Sequence, residues 1–99
     1  MHIYNIFEKL EFSPDREIED LIFENEKIKI IRTASLYQAT DYYDQEELEI
    51  VKIEKGRAKI EIEGEVVELK EGDIFNIYPH QIHRVIEQDK TIWLCIFVK

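Results

Sequence analysis

The chain has 99 residues, 44% of them hydrophobic and 35% charged, which is the balance of one folded domain around one core and not of a disordered segment. Its 22 acidic residues against 13 basic ones leave a formal charge of -9, which repels phosphate backbones and anionic bilayers and so argues against nucleic-acid and membrane partners. No stretch approaches the roughly 20 apolar residues of a membrane helix, the N-terminal "MHIYNIFEKL" lacks the basic start and long apolar run of a signal peptide, and the single cysteine excludes an internal disulfide, so the expected location is the reducing cytoplasm.

Residues 1–25 stand apart as an N-terminal segment expected to pack on the domain formed by residues 26–99. Ser13-Pro14-Asp15 resembles the cap of a short helix through "DREIEDLIF", in which Ile18, Leu21 and Ile22 share a helical face, although "LIF" equally suits the start of a strand. Ile3, Ile6, Phe7, Leu10 and Phe12 are expected to cover this chain's own core or to cross onto a second copy.

From residue 26 onward the period is two and the elements are short strands. "KIKIIRTAS" (27–35) opens the series, and "LEIVKIEKG" (48–56) follows the polar stretch "YYDQEE". In "RAKIEIEGEVVEL" (57–69) Ala58, Ile60 and Ile62 alternate with charged residues, and Glu63-Gly64 supplies a two-residue hairpin turn in which glycine accepts a positive φ. Turns at "KEGD" (70–73) and "EQDK" (87–90) bracket "IFNIY" and "HRVIE", and the apolar run 91–98 closes the chain with Cys95 inside it. Short, closely spaced strands of this kind predict an all-β sandwich or barrel. A thiol in such a run is a small buried hydrophobe before it is a nucleophile.

One polar residue breaks the alternation. Strand 48–56 places Glu49 with Val51 and Ile53 on the inward face, and a buried carboxylate must be paired, protonated or bound to a metal. The same parity brings Gln45 and Glu47 to that face. In "HRVIE" it groups His83, Val85 and Glu87, which makes His83 the candidate partner of Glu49, since imidazole and carboxylate suit a divalent transition metal or an acid–base pair. The alternative is a solvated Glu49 at a strand end, with His80 and His83 doing no more than capping a turn. His2 lies near a terminus and carries no expectation.

Glu49, six residues and Gly56, followed by "GDIFNIYPHQIH" from Gly72 to His83, together resemble the two motifs of a small single-domain cupin, a double-sheet jelly-roll β-barrel. Tyr43-Asp44-Gln45, the "HxxHRV" of residues 80–85 and "TIWL" at 91–94 resemble a subgroup of such proteins. The resemblance implies a site of three histidines and a glutamate around iron, manganese, nickel or zinc. Only Glu49 and His83 match it directly. Gln45 stands at a ligand position, His80 and Asp44 are candidate substitutes, and Pro79 falls one residue late in the second motif. An amide oxygen binds such metals weakly.

Three functions remain open at this stage. One is a metal-dependent isomerase, decarboxylase or dioxygenase built on Glu49 and His83. The second is a metal-free pocket for a small molecule, in which the pair acts as acid and base and Tyr43 and Asp44 contact the ligand, with Tyr42, Phe75, Tyr78 and Trp93 as further wall candidates. The third is a non-catalytic ligand-sensing module or dimeric scaffold with a degenerate site, homodimer formation being a remedy for exposed sheet edges.

Overall fold

The computed structural model describes residues 2–99. Eight antiparallel strands account for its regular structure: β1 Ile18–Glu24, β2 Ile28–Leu36, β3 Leu48–Lys55, β4 Arg57–Ile62, β5 Glu65–Lys70, β6 Ile74–Ile77, β7 His83–Gln88 and β8 Lys90–Val98. They form a five-stranded sheet in the order β1-β2-β8-β3-β6 and a three-stranded sheet in the order β5-β4-β7. The two face each other as the predicted jelly roll, which stays open on one side. No helix among the described residues is long and apolar enough to cross a membrane.

Strict alternation explains the core. Val51 and Ile53 from β3 meet Ala58, Ile60 and Ile62 from β4, with Ile31, Leu69, Ile77, Trp93 and Cys95 completing the buried cluster. The β4–β5 hairpin turns at Glu63 and Gly64, with φ of 47° and 82°, the left-handed pair that a two-residue turn demands. Gly56, between β3 and β4, has φ of 90°, and a Cβ there would lie 2.6 Å from the Lys90 carbonyl oxygen and 2.7 Å from Asp89 Oδ1. The glycine that follows Glu49 by seven positions is thus required both by its backbone angle and by the closeness of the β7–β8 turn.

The N-terminal helix does not form. Ile18–Glu24 is a strand, and the Ser13 hydroxyl accepts the Asp15 amide in a local turn instead of opening a helix. Pairing with β2 from Ile18↔Ala34 to Glu24↔Lys29 overrides the helical spacing of Ile18, Leu21 and Ile22, because the sheet edge offers hydrogen bonds that so short a helix cannot match. Asn25 closes the hairpin by accepting the amides of Lys27 and Ile28. The sheet therefore begins inside the segment that the sequence set apart.

Residues before β1 lie against the outer face of the larger sheet, held by Arg32. Its guanidinium, only 3% exposed, donates to the carbonyls of Ile6 (3.1 Å) and Glu8 (2.7 Å), pairs with Asp20 at 2.6 Å and lies 5.2 Å from the Tyr4 ring centre.

A bulge in β7 alters one predicted face. Lys59 pairs with Glu87 and the next position, Ile60, pairs with Val85, so Ile86 is the extra residue. Glu87 consequently turns outward to Lys59 (3.3 Å), and Gln88 turns inward in its place.

Candidate functional site

The space between the sheets holds a cavity of about 200 Å³. Its walls are largely apolar, with Ile31, Val51, Ile60, Ile77, Val85 and Phe97 contributing, and Tyr43 and Trp93 adding aromatic surface. Glu49 and His83 face each other across it from opposite sheets.

Glu49 lies in β3 between its partners Ile77 of β6 and Phe97 of β8, and is 8% exposed. Its Oε1 accepts the Gln45 amide N–H at 3.0 Å. Burial pushes its carboxyl above the usual range, against the opposing pull of the Gln45 hydrogen bond, His83 and the Cys95 thiol.

His83 opens β7 opposite Ile62 and is 6% exposed. Backbone hydrogen bonds to Tyr43 on one side and pairing with β4 on the other fix its main chain. Its Nδ1 is 2.8 Å from the Gln81 carbonyl oxygen, which can only accept, so Nδ1 carries a proton, and in the neutral form of the ring Nε2 is the acceptor facing Glu49. Nε2 lies 3.9 Å from Glu49 Oε1, beyond direct hydrogen-bonding distance. The pair can thus accept or exchange a proton with a group placed between them, in surroundings of low polarity.

Tyr43 belongs to the 37–47 loop, which runs along β7 through Thr40–Val85 and Tyr43–His83 backbone hydrogen bonds. Its ring lies 5.6 Å from that of His83. Burial, then Glu17, Glu19, Asp41 and Glu49, raise the pKa of its hydroxyl.

Of the residues singled out in the sequence, Glu49, His83, Gln45 and Tyr43 come together at this cavity. His80 and Asp44 do not. His80 has φ of 63° in the turn after Pro79, and its ring, with the side chain 65% exposed, points out to Asp44 Oδ1 at 2.8 Å. Only the His80 backbone serves the site, donating to the carbonyl of Gln45. Tyr42 and Tyr78 are exposed, whereas Trp93 lines the cavity as expected.

Sequence reasoning missed Glu17, Glu19, Thr33 and Cys95 as lining residues. The first two lie in the stretch expected to be helical. Cys95 follows from the pairing Val51↔Cys95, which places it on the face of Glu49. Burial and the neighbouring Glu49 push its thiol well above the ordinary range, so it is no ready nucleophile. Gln88, brought inward by the bulge, accepts Trp93 Nε1–H at 2.8 Å and donates to the Gln38 carbonyl.

These residues do not fit a resident transition metal. Among the described residues no group of three or more His, Cys, Asp or Glu is arranged to hold one. The imidazole nitrogen of His83 meets one carboxylate, that of Glu49, across the gap, the Gln45 amide directs its N–H toward that carboxylate, and Glu17 in the same wall is taken up by Ser35 and Gln88.

Residues 37–97 match the family model described as a cupin domain. Among solved structures, a "putative mannose-6-phosphate isomerase" from Ralstonia eutropha JMP134 superposes with a TM-score of 0.93 at 29% identity, covering 100% of this chain and 99% of that one. An RmlC-like cupin protein from Desulfovibrio desulfuricans superposes at 0.86 with 19% identity over 99% and 96% of the chains, and a cupin superfamily protein from Desulfitobacterium hafniense DCB-2 at 0.82 with 14% identity over 90% and 83%. No curated protein matches. Since the family match spans most of the chain and contains the glutamate strand, the Gly56 turn and His83, the chain belongs to the cupin family.

Proposed function

We propose that this cupin binds a small molecule in the cavity between its sheets, with Glu49 and His83 gripping a polar group of the ligand directly and no resident metal between them. The observation that carries this reading is the 3.9 Å separation of Glu49 Oε1 and His83 Nε2, two buried groups that face each other without bonding. The Gln81 carbonyl and the Gln45 amide each fix one member of the pair, so the gap is held open by the fold. Preorganised polar groups in an apolar cavity are the usual makings of a ligand site.

The name of the Ralstonia protein includes a phosphorylated sugar, and that ligand suits this chain poorly. No lysine or arginine lines the cavity, so the bidentate or ammonium contacts that hold a phosphate are lacking.

A small-fragment screen by ¹H–¹⁵N spectroscopy, with the histidine rings labelled, tests the reading. Fragments that bind should move the His83 Nε2 resonance, and Glu49→Gln should weaken them. Fragments that bind elsewhere and leave His83 unmoved would refute it, as would stoichiometric manganese, iron, nickel or zinc that is lost in both Glu49→Ala and His83→Ala.

A further inference from the structure

Three carboxylates line the cavity. Glu17 and Glu19 line it together with Glu49, and His83 is the single basic group in the lining. Glu17 is engaged, since its Oε2 accepts from Ser35 Oγ and from Gln88 Nε2. Glu19 stands exposed on β1.

The two atoms that flank the gap, Glu49 Oε1 and His83 Nε2, can both accept hydrogen bonds. Glu49 Oε1 is a carboxyl oxygen, and His83 Nε2 in the neutral ring is a lone pair, because its other nitrogen donates to Gln81. His83 is more than nine-tenths buried, and its Nε2 makes no hydrogen bond among the described residues. Two acceptors 3.9 Å apart are both within reach of one nitrogen about 2.9 Å from each, provided that nitrogen has at least two hydrogens to give. A carboxylate or phosphate would bring acceptors to acceptors and a negative charge to a chain of net charge -9. A neutral hydroxyl has one hydrogen and satisfies one partner.

We propose that the ligand of this cavity is a small primary ammonium compound with an apolar body, its nitrogen bridging Glu49 Oε1 and His83 Nε2. The proposal rests on the reading of the cavity as a small-molecule site and adds the chemical class. The ammonium brings the countercharge that the buried carboxylate lacks, and the Tyr43 ring lines the same cavity. Val51, Ile77 and Phe97 receive the body. At a water's share of about 30 Å³, the cavity has the volume of roughly seven waters, the size of one substituted ring.

Benzylamine, benzyl alcohol and benzoate share one ring and differ in the group presented, and Trp93, the chain's one tryptophan, lies in the cavity wall as a fluorescent reporter. Each probe is titrated into the full chain at neutral pH. Benzylamine should bind saturably and at least about tenfold more tightly than benzyl alcohol, a difference of one charge-assisted hydrogen bond, and benzoate should give no saturable signal. Glu49→Gln should remove the preference for the amine and leave benzyl alcohol within about threefold. If that variant does not fold, His83→Phe, which removes the second acceptor and keeps the carboxylate, should weaken benzylamine more than benzyl alcohol. Benzoate binding as tightly as benzylamine, or benzyl alcohol binding with no preference for the amine, would overturn the ammonium assignment while leaving a small-molecule cavity standing. A folded parent chain that responds to none of the three would overturn both.

Discussion

His83 Nε2 lies 3.9 Å from Glu49 Oε1, although the histidine belongs to the three-stranded sheet and the glutamate to the five-stranded one. Each is held from behind, the imidazole by the Gln81 carbonyl and the carboxyl by the Gln45 amide. The two sheets therefore present a fixed pair of polar groups in a cavity whose other walls are mostly apolar.

The hydrogen bond to Gln81 makes a spectroscopic prediction. Neutral His83 should populate the tautomer with hydrogen on Nδ1, so its Nε2 should show the ¹⁵N shift of an unprotonated ring nitrogen. An Nε2–H tautomer at His83 would contradict the assignment of Nε2 as the acceptor facing Glu49.

Burial raises the Glu49 pKa, and this fixes the sign of a stability effect. A folded-state pKa above the unfolded value means that folding takes up a proton, so the contribution is fully present below the unfolded pKa and is lost as pH rises through the folded one. Glu49→Gln removes that dependence and keeps the shape and an acceptor for Gln45. The variant should melt above the parent at pH 7 to 8, by about 4–8 °C for each kcal/mol relieved, and the gap should close as pH falls toward about 4. A gap that widens on acidification would show that Glu49 gains more from its partners than it loses to burial.

Gly56 and Gly64 both have positive φ, but they differ in surroundings. Gly64→Ala meets open space and should cost only the backbone penalty, about 1–2 kcal/mol. Gly56→Ala adds contacts under 3.0 Å with the Lys90 carbonyl and Asp89, which must move the β7–β8 turn. Urea denaturation should give a loss for Gly56→Ala at least about twice that for Gly64→Ala. Equal losses would mean that the turn yields freely.

Arg32 joins the N-terminal segment to the sheet through buried hydrogen bonds that a lysine cannot reproduce, because one ammonium lacks the planar fork. Arg32→Lys should lose about 2–3 kcal/mol and should raise amide exchange in residues 2–12 more than in β3 or β8. Unchanged protection there would show that apolar contacts alone hold the segment down.

Alternation made a good part of the site legible from sequence. Period two placed Glu49 beside Val51 and Ile53 on the inward face, and the structure buries all three. The same rule placed His83 inward, and Glu63-Gly64 marked the β4–β5 hairpin through backbone angles that few residues accept. These features are written locally, since each depends on a residue and its immediate neighbours.

Other features depend on what lies across the fold. Ile18–Glu24 is a strand because β2 is there to pair with it, and with that strand come the carboxylates of Glu17 and Glu19. The bulge at Ile86 reverses Glu87 and Gln88 and leaves no mark on the composition of β7. Whether His80 or His83 reaches the cavity is decided by the turn at φ 63°, which sends His80 to Asp44. The sequence by itself determined which side chains face inward along the strands, because pleating is a property of the chain alone. Only the tertiary structure decided which of them meet, because the distance between Glu49 and His83 is set by two sheets packing over a shared core.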